Sequence, residues 1–149
     1  MDKEYYMAQA LLLAEEAAQD SEVPVGCVVV GPEGQILGRG RNRRQSSHDA
    51  TAHAELEAIR MACAAKGDWR LDDCSLYVSL EPCPMCAGAI VNSRLSRVIY
   101  GAKEPLSGCC GSVLDLFWEN FGHEPQVIGG ILAEESAKLL QDFFQGKRK

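Results

Sequence analysis

A strand pattern, a helix pattern and a second strand pattern follow one another within residues 75–101, and this alternation constrains the fold more than any other feature. SLYVSL (75–80) alternates with period two, as a strand does. Pro84 suits the first turn of a helix over 84–93, and RVIYG (97–101) is a further strand pattern. A helical crossover favours parallel neighbouring strands and a right-handed connection. These residues therefore predict two parallel strands of one sheet, joined by a helix.

The remaining segments extend this unit into a mixed sheet with helices on both faces. VPVGCVVV (23–30) and QILGRGRN (35–42) are strand patterns joined by the turn GPEG, which predicts a hairpin. Helix patterns cover residues 3–19, residues 131–145, and a segment that runs from an N-cap at Thr51 to about residue 65. The order of elements predicts an α/β protein of the three-layer α/β/α type, with a single domain over residues 1–149.

Composition and cysteine usage restrict the compartment and the class of protein. The sequence has no apolar run long enough to span a bilayer, and MDKEYYMAQA at its start has a helical pattern rather than that of an export signal. We therefore expect a cytoplasmic protein with no membrane partner. Thiols stay reduced in that compartment, and seven cysteines is an odd number, so a disulfide framework is disfavoured. Grouped cysteines then indicate a metal or catalysis.

Charge is unevenly distributed along the chain. The net charge of −6 argues against a general affinity for nucleic acid. Basic residues nonetheless concentrate within 39–44 and at 147–149. The first group consists of Arg39, Arg41, Arg43 and Arg44. Such patches on an acidic body allow a confined contact with a polyanion, and they are equally compatible with solvated surface arginines.

Two predicted helix starts carry the residues with metal-binding chemistry. The first has His53 and Glu55 within TAHAE, and the second has Cys83 and Cys86 within PCPMC. Because both helices begin at the carboxyl edge of the parallel strands, we expect their starts to be neighbours. Cysteines at i and i+3 lie on one side of a helical turn, where unpaired backbone N–H groups stabilise thiolates. Two sulfurs and one imidazole suit zinc and leave a fourth tetrahedral position for water.

Glu55 would then be a carboxylate beside that water, able to accept its proton. Two other interpretations of the cysteines stay open. A thioredoxin-like C-x-x-C redox pair is possible, but it leaves the His-x-Glu pattern without a role. A closed, structural zinc site would need a fourth ligand, for which the candidates are Cys74, Cys109, Cys110, His48 and His123.

H-x-E followed by P-C-x-x-C resembles the signature of the zinc nucleobase and nucleoside deaminases. The likeness runs through nearly the whole chain, because VPVGCVVV, GRGRN, TAHAELEAIR, WRLDDCSLYVSLEPCPMCAGAI, SRVIYGA and GGILAEESAKLLQDFF resemble the bacterial tRNA-specific adenosine deaminases. The metal motifs alone indicate only the superfamily, whereas GRGRN and the C-terminal block favour the tRNA-acting family. The resemblance implies the cytidine deaminase-like form of the three-layer fold.

This resemblance implies hydrolytic deamination of the wobble adenosine of a tRNA anticodon loop to inosine. It implies that His53, Cys83 and Cys86 bind one Zn²⁺ per subunit, and that a zinc-activated water attacks C6 of a flipped-out adenine. Glu55 would move a proton from the water to the ring nitrogen and then to the departing ammonia. The residues implied to contact the base are Asn42, Val25 and Ala54.

The resemblance also implies a homodimer that binds the anticodon stem-loop. The implied RNA contacts are Glu104, Ser107, Phe144 and Arg148. The chain departs from the family in GAKEPLSG, where Glu104 replaces an Asp and Leu106 replaces a Lys. This change affects the implied contacts to the RNA backbone and not the zinc chemistry. Two other functions stay open: deamination of free guanine or cytosine at the same zinc site, and a zinc-stabilised RNA-binding module without catalysis.

Overall fold

The computed structural model describes residues 2–147. The described elements are α1 (Lys3–Gln19), β1 (Gly26–Val30), β2 (Ile36–Arg41), α2 (Ala54–Lys66), β3 (Ser75–Leu80), α3 (Pro84–Ser93), β4 (Arg97–Ala102), a 3-10 turn (Leu116–Trp118), β5 (Gln126–Ile128) and α4 (Ala133–Lys147). No described helix combines the length and the hydropathy that crossing a membrane requires.

The strands form one sheet in the order β2-β1-β3-β4-β5. β1 is antiparallel to both β2 and β3, whereas β3, β4 and β5 are parallel. The predicted hairpin, the predicted parallel pair and the mixed sheet are therefore confirmed. Because β1 alone runs in the opposite direction, β2 and β3 both end at the same edge of the sheet. The helices α2 and α3 follow those two ends, so both helices start at that edge.

Alternation along β1 shows how the two faces of the sheet are covered. Cys27 and Val29 pack against the side on which α2 and α3 lie, and Val28 and Val30 pack with residues of α1 on the other side. All four side chains are fully buried. Burying each valine stabilises the fold by about 1.5–3 kcal/mol. Since α4 contacts β4 and α1, it completes the second helical layer, and the three-layer α/β/α architecture is confirmed.

Two glycines in β2 allow α2 to pack directly onto the sheet. A Cβ at Gly38 would lie 2.0 Å from the Ala58 carbonyl oxygen, and a Cβ at Gly40 would lie 2.1 Å from the Ala54 carbonyl oxygen. The backbone of α2 therefore occupies the space that a side chain would need. This close approach explains the alternation of glycine and arginine in GRGRN, and it places the start of α2 against the end of β2.

Two local features differ from the sequence-based expectation. Thr51 is not the N-cap of α2, and its hydroxyl and its N–H instead both donate to the Asp49 carboxylate, at 2.6 and 2.8 Å. The helix begins at Ala54, and His53 occupies the cap position with extended backbone (φ −88°, ψ 153°). β5 was not predicted, because three partly exposed residues are too few to show a strand period.

Candidate metal centre and adjoining pocket

Three side chains from two helix starts converge at the edge of the sheet. His53 precedes α2, Cys83 precedes α3, and Cys86 lies in the first turn of α3. The His53 Nδ1 atom is 3.6 Å from the Cys83 sulfur and 3.6 Å from the Cys86 sulfur. The ligand atoms of the three residues all lie within 4.8 Å of one another. Residues separated by thirty positions are thus brought together, as the common edge of the two helix starts predicts.

The donor set and its geometry fit zinc. Bond lengths of about 2.3 Å to sulfur and about 2.0 Å to nitrogen, with a tetrahedral angle between them, require a nitrogen–sulfur separation of roughly 3.5–3.6 Å. Both nitrogen–sulfur separations in the structure are 3.6 Å and match this requirement. The group contains three ligands, since none of the five candidate fourth ligands joins it among the described residues. Three protein ligands leave one tetrahedral corner for an exchangeable ligand.

Two of the excluded candidates have other roles or positions. His123 lies near the amino end of β4, where its Nε2 donates a hydrogen bond of 2.6 Å to the Leu95 carbonyl. That end of the sheet is opposite to the cluster. His48 is exposed and adopts a left-handed backbone conformation (φ 51°) in the loop before α2. Neither histidine is positioned to close the site.

The pKa values of the two thiols are shifted in opposite directions. The pKa of the Cys83 thiol is lowered to about 4, chiefly because the Cys86 thiol donates a hydrogen bond to it, and secondarily because of the bond with His53. The pKa of the Cys86 thiol is raised by the same contact with Cys83 and by its burial. A thiolate at Cys83 is therefore formed at neutral pH, and thiolate is the form that binds a metal.

Glu55 lies in the first turn of α2 and is 4% exposed. Burial raises the pKa of its carboxyl group to about 7, and the negative charge of Cys83 adds to that rise. A carboxyl group with this pKa can both accept and release a proton near neutral pH, which is the property that a general acid–base catalyst needs.

A pocket of about 160 Å³ adjoins the cluster. A cavity of about 150 Å³ is large enough for a benzene ring, so this pocket suits one planar heterocycle rather than a whole nucleotide. The pocket is lined by Val23, Val25, Asn42, Arg44, His53, Ala54, Glu55, Leu80, Glu81, Cys83, Glu104 and Ser107. The lining contains apolar walls and polar groups, an arrangement typical of small-ligand sites.

Asn42 presents a defined hydrogen-bonding edge to this pocket. Its side-chain Nδ2 donates to the Val23 carbonyl at 3.3 Å, and its Oδ1 accepts from the Arg44 N–H at 3.0 Å. Because a carbonyl only accepts and a backbone N–H only donates, these two partners determine the orientation of the amide. One N–H and one lone pair of the amide remain for a ligand. Asn42 is 8% exposed and lines the pocket at the end of β2.

Glu81 holds the loop that forms one rim of the pocket. Its carboxylate accepts hydrogen bonds from the N–H groups of Glu104, Cys110 and Ser112, at 2.8–3.1 Å, and from the Ser112 hydroxyl. Burial alone would raise the pKa of Glu81, but these hydrogen bonds lower it. The carboxylate that directly follows β3 thus positions residues 104–112 beside Cys83.

The structure brings most of the predicted site residues into one place. Val25, Asn42, Ala54, Glu104 and Ser107 line the pocket together with Glu55, His53 and Cys83, and Cys86 lies behind it, fully buried. Phe144 is not among the lining residues and is 46% exposed on α4. Arg148 lies outside the described residues.

Sequence reasoning missed four lining residues: Val23, Arg44, Leu80 and Glu81. Glu81 had one available signal, because an acidic residue between a buried strand and a metal-binding turn needs hydrogen-bond donors nearby. Arg44 was noticed only as a member of a basic group. Its position two residues beyond Asn42 would have indicated that it lies beside the same pocket.

Comparison with known proteins places this site in a family context. Residues 1–102 match the family model for the cytidine and deoxycytidylate deaminase zinc-binding region. The chain is 45% identical to the tRNA-specific adenosine deaminase of Bacillus subtilis over 147 residues, which cover 98% of this chain and 91% of that protein. It is also 50% identical to the tRNA(Ile)-lysidine synthase of Deinococcus deserti over 143 residues. This match covers 96% of the chain but only 27% of that longer protein.

Solved structures show the same relationship in three dimensions. A structure from a study of A-to-I editing by tRNA:A34 deaminases at the wobble position of transfer RNA superposes with a TM-score of 0.88 and 43% identity, covering 91% of this chain and 99% of that one. The guanine deaminase of Bacillus subtilis superposes with a TM-score of 0.67 and 35% identity, covering 99% of this chain and 94% of that one.

Proposed function

Because the chain belongs to the cytidine and deoxycytidylate deaminase zinc-binding family, we propose that it deaminates the wobble adenosine of a tRNA anticodon loop to inosine. The observation that carries the choice of substrate is the near-complete superposition on a tRNA:A34 deaminase, with a higher TM-score and identity than on a guanine deaminase. The pocket supports this proposal, because its volume of about 160 Å³ suits one base and not a whole nucleotide.

The proposed reaction consumes one water and releases one ammonia. Water adds at C6 of adenine, the bond from C6 to the exocyclic nitrogen breaks, and the 6-oxo group of inosine remains. Zinc held by His53, Cys83 and Cys86 would supply Lewis-acid activation of the water. Glu55 accepts one proton of the water and delivers it to the ring nitrogen N1, and it then transfers the second proton, from the hydroxyl now bound to C6, to the departing nitrogen.

The pocket residues orient the base for this proton transfer. The free N–H and lone pair of Asn42 match the donor and acceptor groups on a purine edge, and Val25 provides an apolar wall against the ring. Because the pocket holds only one base, the target nucleotide has to leave its stack. An anticodon loop is single-stranded and gives up a base at less cost than a duplex does.

A comparison of substrates tests the proposal. The purified protein is incubated with an anticodon stem-loop that carries adenosine at the wobble position and, separately, with free adenine, guanine and cytosine, and inosine and ammonia are measured. We expect inosine and ammonia from the stem-loop alone. Ammonia from free guanine or cytosine alone would identify a nucleobase deaminase, and tight RNA binding without inosine would identify a binding module.

We further propose that the protein acts in the cytoplasm as a homodimer. A group of large apolar side chains is exposed within residues 106–121: Leu106, Val113, Leu114, Trp118 and Phe121. Leu106 and Trp118 are 89% and 81% exposed. Apolar surface of this kind marks an interaction site, and a second copy of the chain would cover it. Analytical ultracentrifugation tests the assembly, and a monomer that is fully active on the stem-loop would contradict it.

A further inference from the structure

The four arginines of residues 39–44 have different environments. Because Gly38 and Gly40 of β2 face α2, the alternation of the strand directs Arg39 and Arg41 to the opposite side. Arg43 and Arg44 follow the strand, at the point where the chain leaves the sheet and reaches the pocket. The basic patch visible in the sequence is therefore not one surface.

Two of these arginines are neutralised by local partners. The Arg41 guanidinium forms an ion pair of 2.6 Å with Asp20 and donates to the Glu16 carbonyl at 3.1 Å, at the end of α1. The Arg43 guanidinium forms an ion pair of 2.7 Å with Glu57 on α2. Both charges thus hold structural elements together and have less capacity to attract a ligand.

Arg44 is exposed and forms no ion pair with a described residue. It lines the pocket, and its own N–H donates to Asn42 Oδ1 at 3.0 Å, so its position is tied to that of the amide. Among the described lining residues, it carries the only guanidinium or ammonium group.

None of the carboxylates that line the same pocket forms an ion pair with Arg44. Glu55 is buried at the base of the pocket, and Glu81 is buried among its four donors. Glu104 accepts the Leu106 N–H at 2.9 Å within its own loop. An exposed guanidinium without an ion pair among the described residues therefore lines a base-sized pocket, in a protein whose net charge of −6 repels a polyanion.

We propose that Arg44 binds a backbone phosphate next to the flipped nucleotide and thereby selects a polynucleotide over a free base. This inference rests on the proposed function. When the base fills the pocket, its ribose and flanking phosphates lie at the mouth, where a guanidinium forms paired hydrogen bonds with phosphate oxygens. A free base carries no phosphate, so Arg44 contributes to the binding of RNA and not to the chemistry at C6.

The experiment compares Arg44→Gln, Arg44→Lys and Arg39→Gln. Arg39→Gln is the matched control, because Arg39 is also exposed and without an ion pair among the described residues, but it does not line the pocket. Deamination of the stem-loop is measured at salt concentrations from about 50 to 200 mM. For Arg44→Gln we expect KM to rise about tenfold with kcat nearly unchanged, and the slope of log(kcat/KM) against log[salt] to fall by about 0.7–1.

Arg44→Lys should recover part of the affinity, and Arg39→Gln should resemble the wild type in both KM and slope. Equal effects of Arg44→Gln and Arg39→Gln, or a fall confined to kcat, would overturn the inference. Binding of the same RNA by fluorescence anisotropy separates the two proposals. If the wild type binds RNA but forms no inosine, the proposed function is wrong. The Arg44 inference is then supported if Arg44→Gln lowers the affinity for RNA and its dependence on salt concentration, and is wrong if both are unchanged.

Discussion

Replacement of Gly40 by alanine tests whether close packing of α2 on β2 positions the metal ligands. The new Cβ would lie 2.1 Å from the Ala54 carbonyl oxygen and 2.8 Å from the Ala58 nitrogen. Carbon–oxygen contacts are normally about 3.3 Å or longer, so the start of α2 must move by about 1.2 Å. His53 directly precedes Ala54 and is therefore displaced with it.

Two opposing contributions determine the stability of this variant. Forcing a methyl group into a packed interface lowers the free energy of unfolding by about 1–3 kcal/mol. Replacing glycine also restricts the unfolded chain, which raises the free energy of unfolding by about 0.4–1 kcal/mol. We expect a net loss of about 1–2 kcal/mol, which lowers the Tm by about 2–8 °C for a chain of this length. A misplacement of about 1 Å at a catalytic site lowers the rate by about a hundredfold.

Thermal unfolding, zinc content by mass spectrometry and stem-loop deamination measure these effects. Gly88→Ala is the matched control, because Gly88 lies in α3 with no atom within 4 Å of the new Cβ, and it should stabilise the helix by up to about 1 kcal/mol. Gly38→Ala clashes with Ala58, one turn further along α2, and should lower the Tm while affecting zinc less. A Gly40→Ala protein with the Tm, zinc content and activity of the wild type would refute the reasoning.

Three further predictions concern the site and its surroundings. Glu55→Gln should retain the zinc and the folded structure but lower the rate of inosine formation by about 10²–10⁴-fold. The control Glu57→Gln, on the same helix, should have a rate within a few-fold of the wild type. Equal rates for Glu55→Gln and the wild type would show that Glu55 is not the proton-transfer group. Cys83→Ser should lose zinc and lower the Tm, because the metal ties the starts of α2 and α3 together, and unchanged metal content would show that the ligand set is wrong. Burial alone would raise the pKa of Glu22, but hydrogen bonds from Ser46 and Gln45 lower it from its usual 4.5. The contribution of Glu22 to stability is therefore present above about pH 4.5 and is lost as the pH falls below that value. Urea unfolding at pH 7 and pH 4 should therefore show a smaller acid-induced loss in Glu22→Gln than in the wild type, and an equal loss would contradict this linkage.

The parts of the fold that the sequence predicted best have strong local signals. The bounds of β3 and α3 agree with the prediction to the residue, because period-two alternation marks the strand and Pro84 marks the first turn of the helix. The metal ligands were also identifiable, since two cysteines at a helix start and one histidine at another are a specific donor set. Their proximity followed from the direction of the strands alone.

Other features depend on contacts between distant residues. The N-cap of α2 was predicted at Thr51, but the Thr51 hydroxyl donates to the Asp49 carboxylate and the helix begins only at Ala54. β5 exists because β4 provides a partner for three residues that show no pattern of their own.

The amino-acid sequence by itself determined the layered α/β/α architecture, the donor set for zinc and the carboxylate beside it, because these depend on local periodicity and on residue chemistry. Only the tertiary structure decided that Arg41 and Arg43, but not Arg39 and Arg44, form ion pairs with described residues, and how the Asn42 amide is oriented. Those properties depend on Asp20, Glu57 and Val23, whose distances from the arginines and the amide are set by the packing of helices on the sheet.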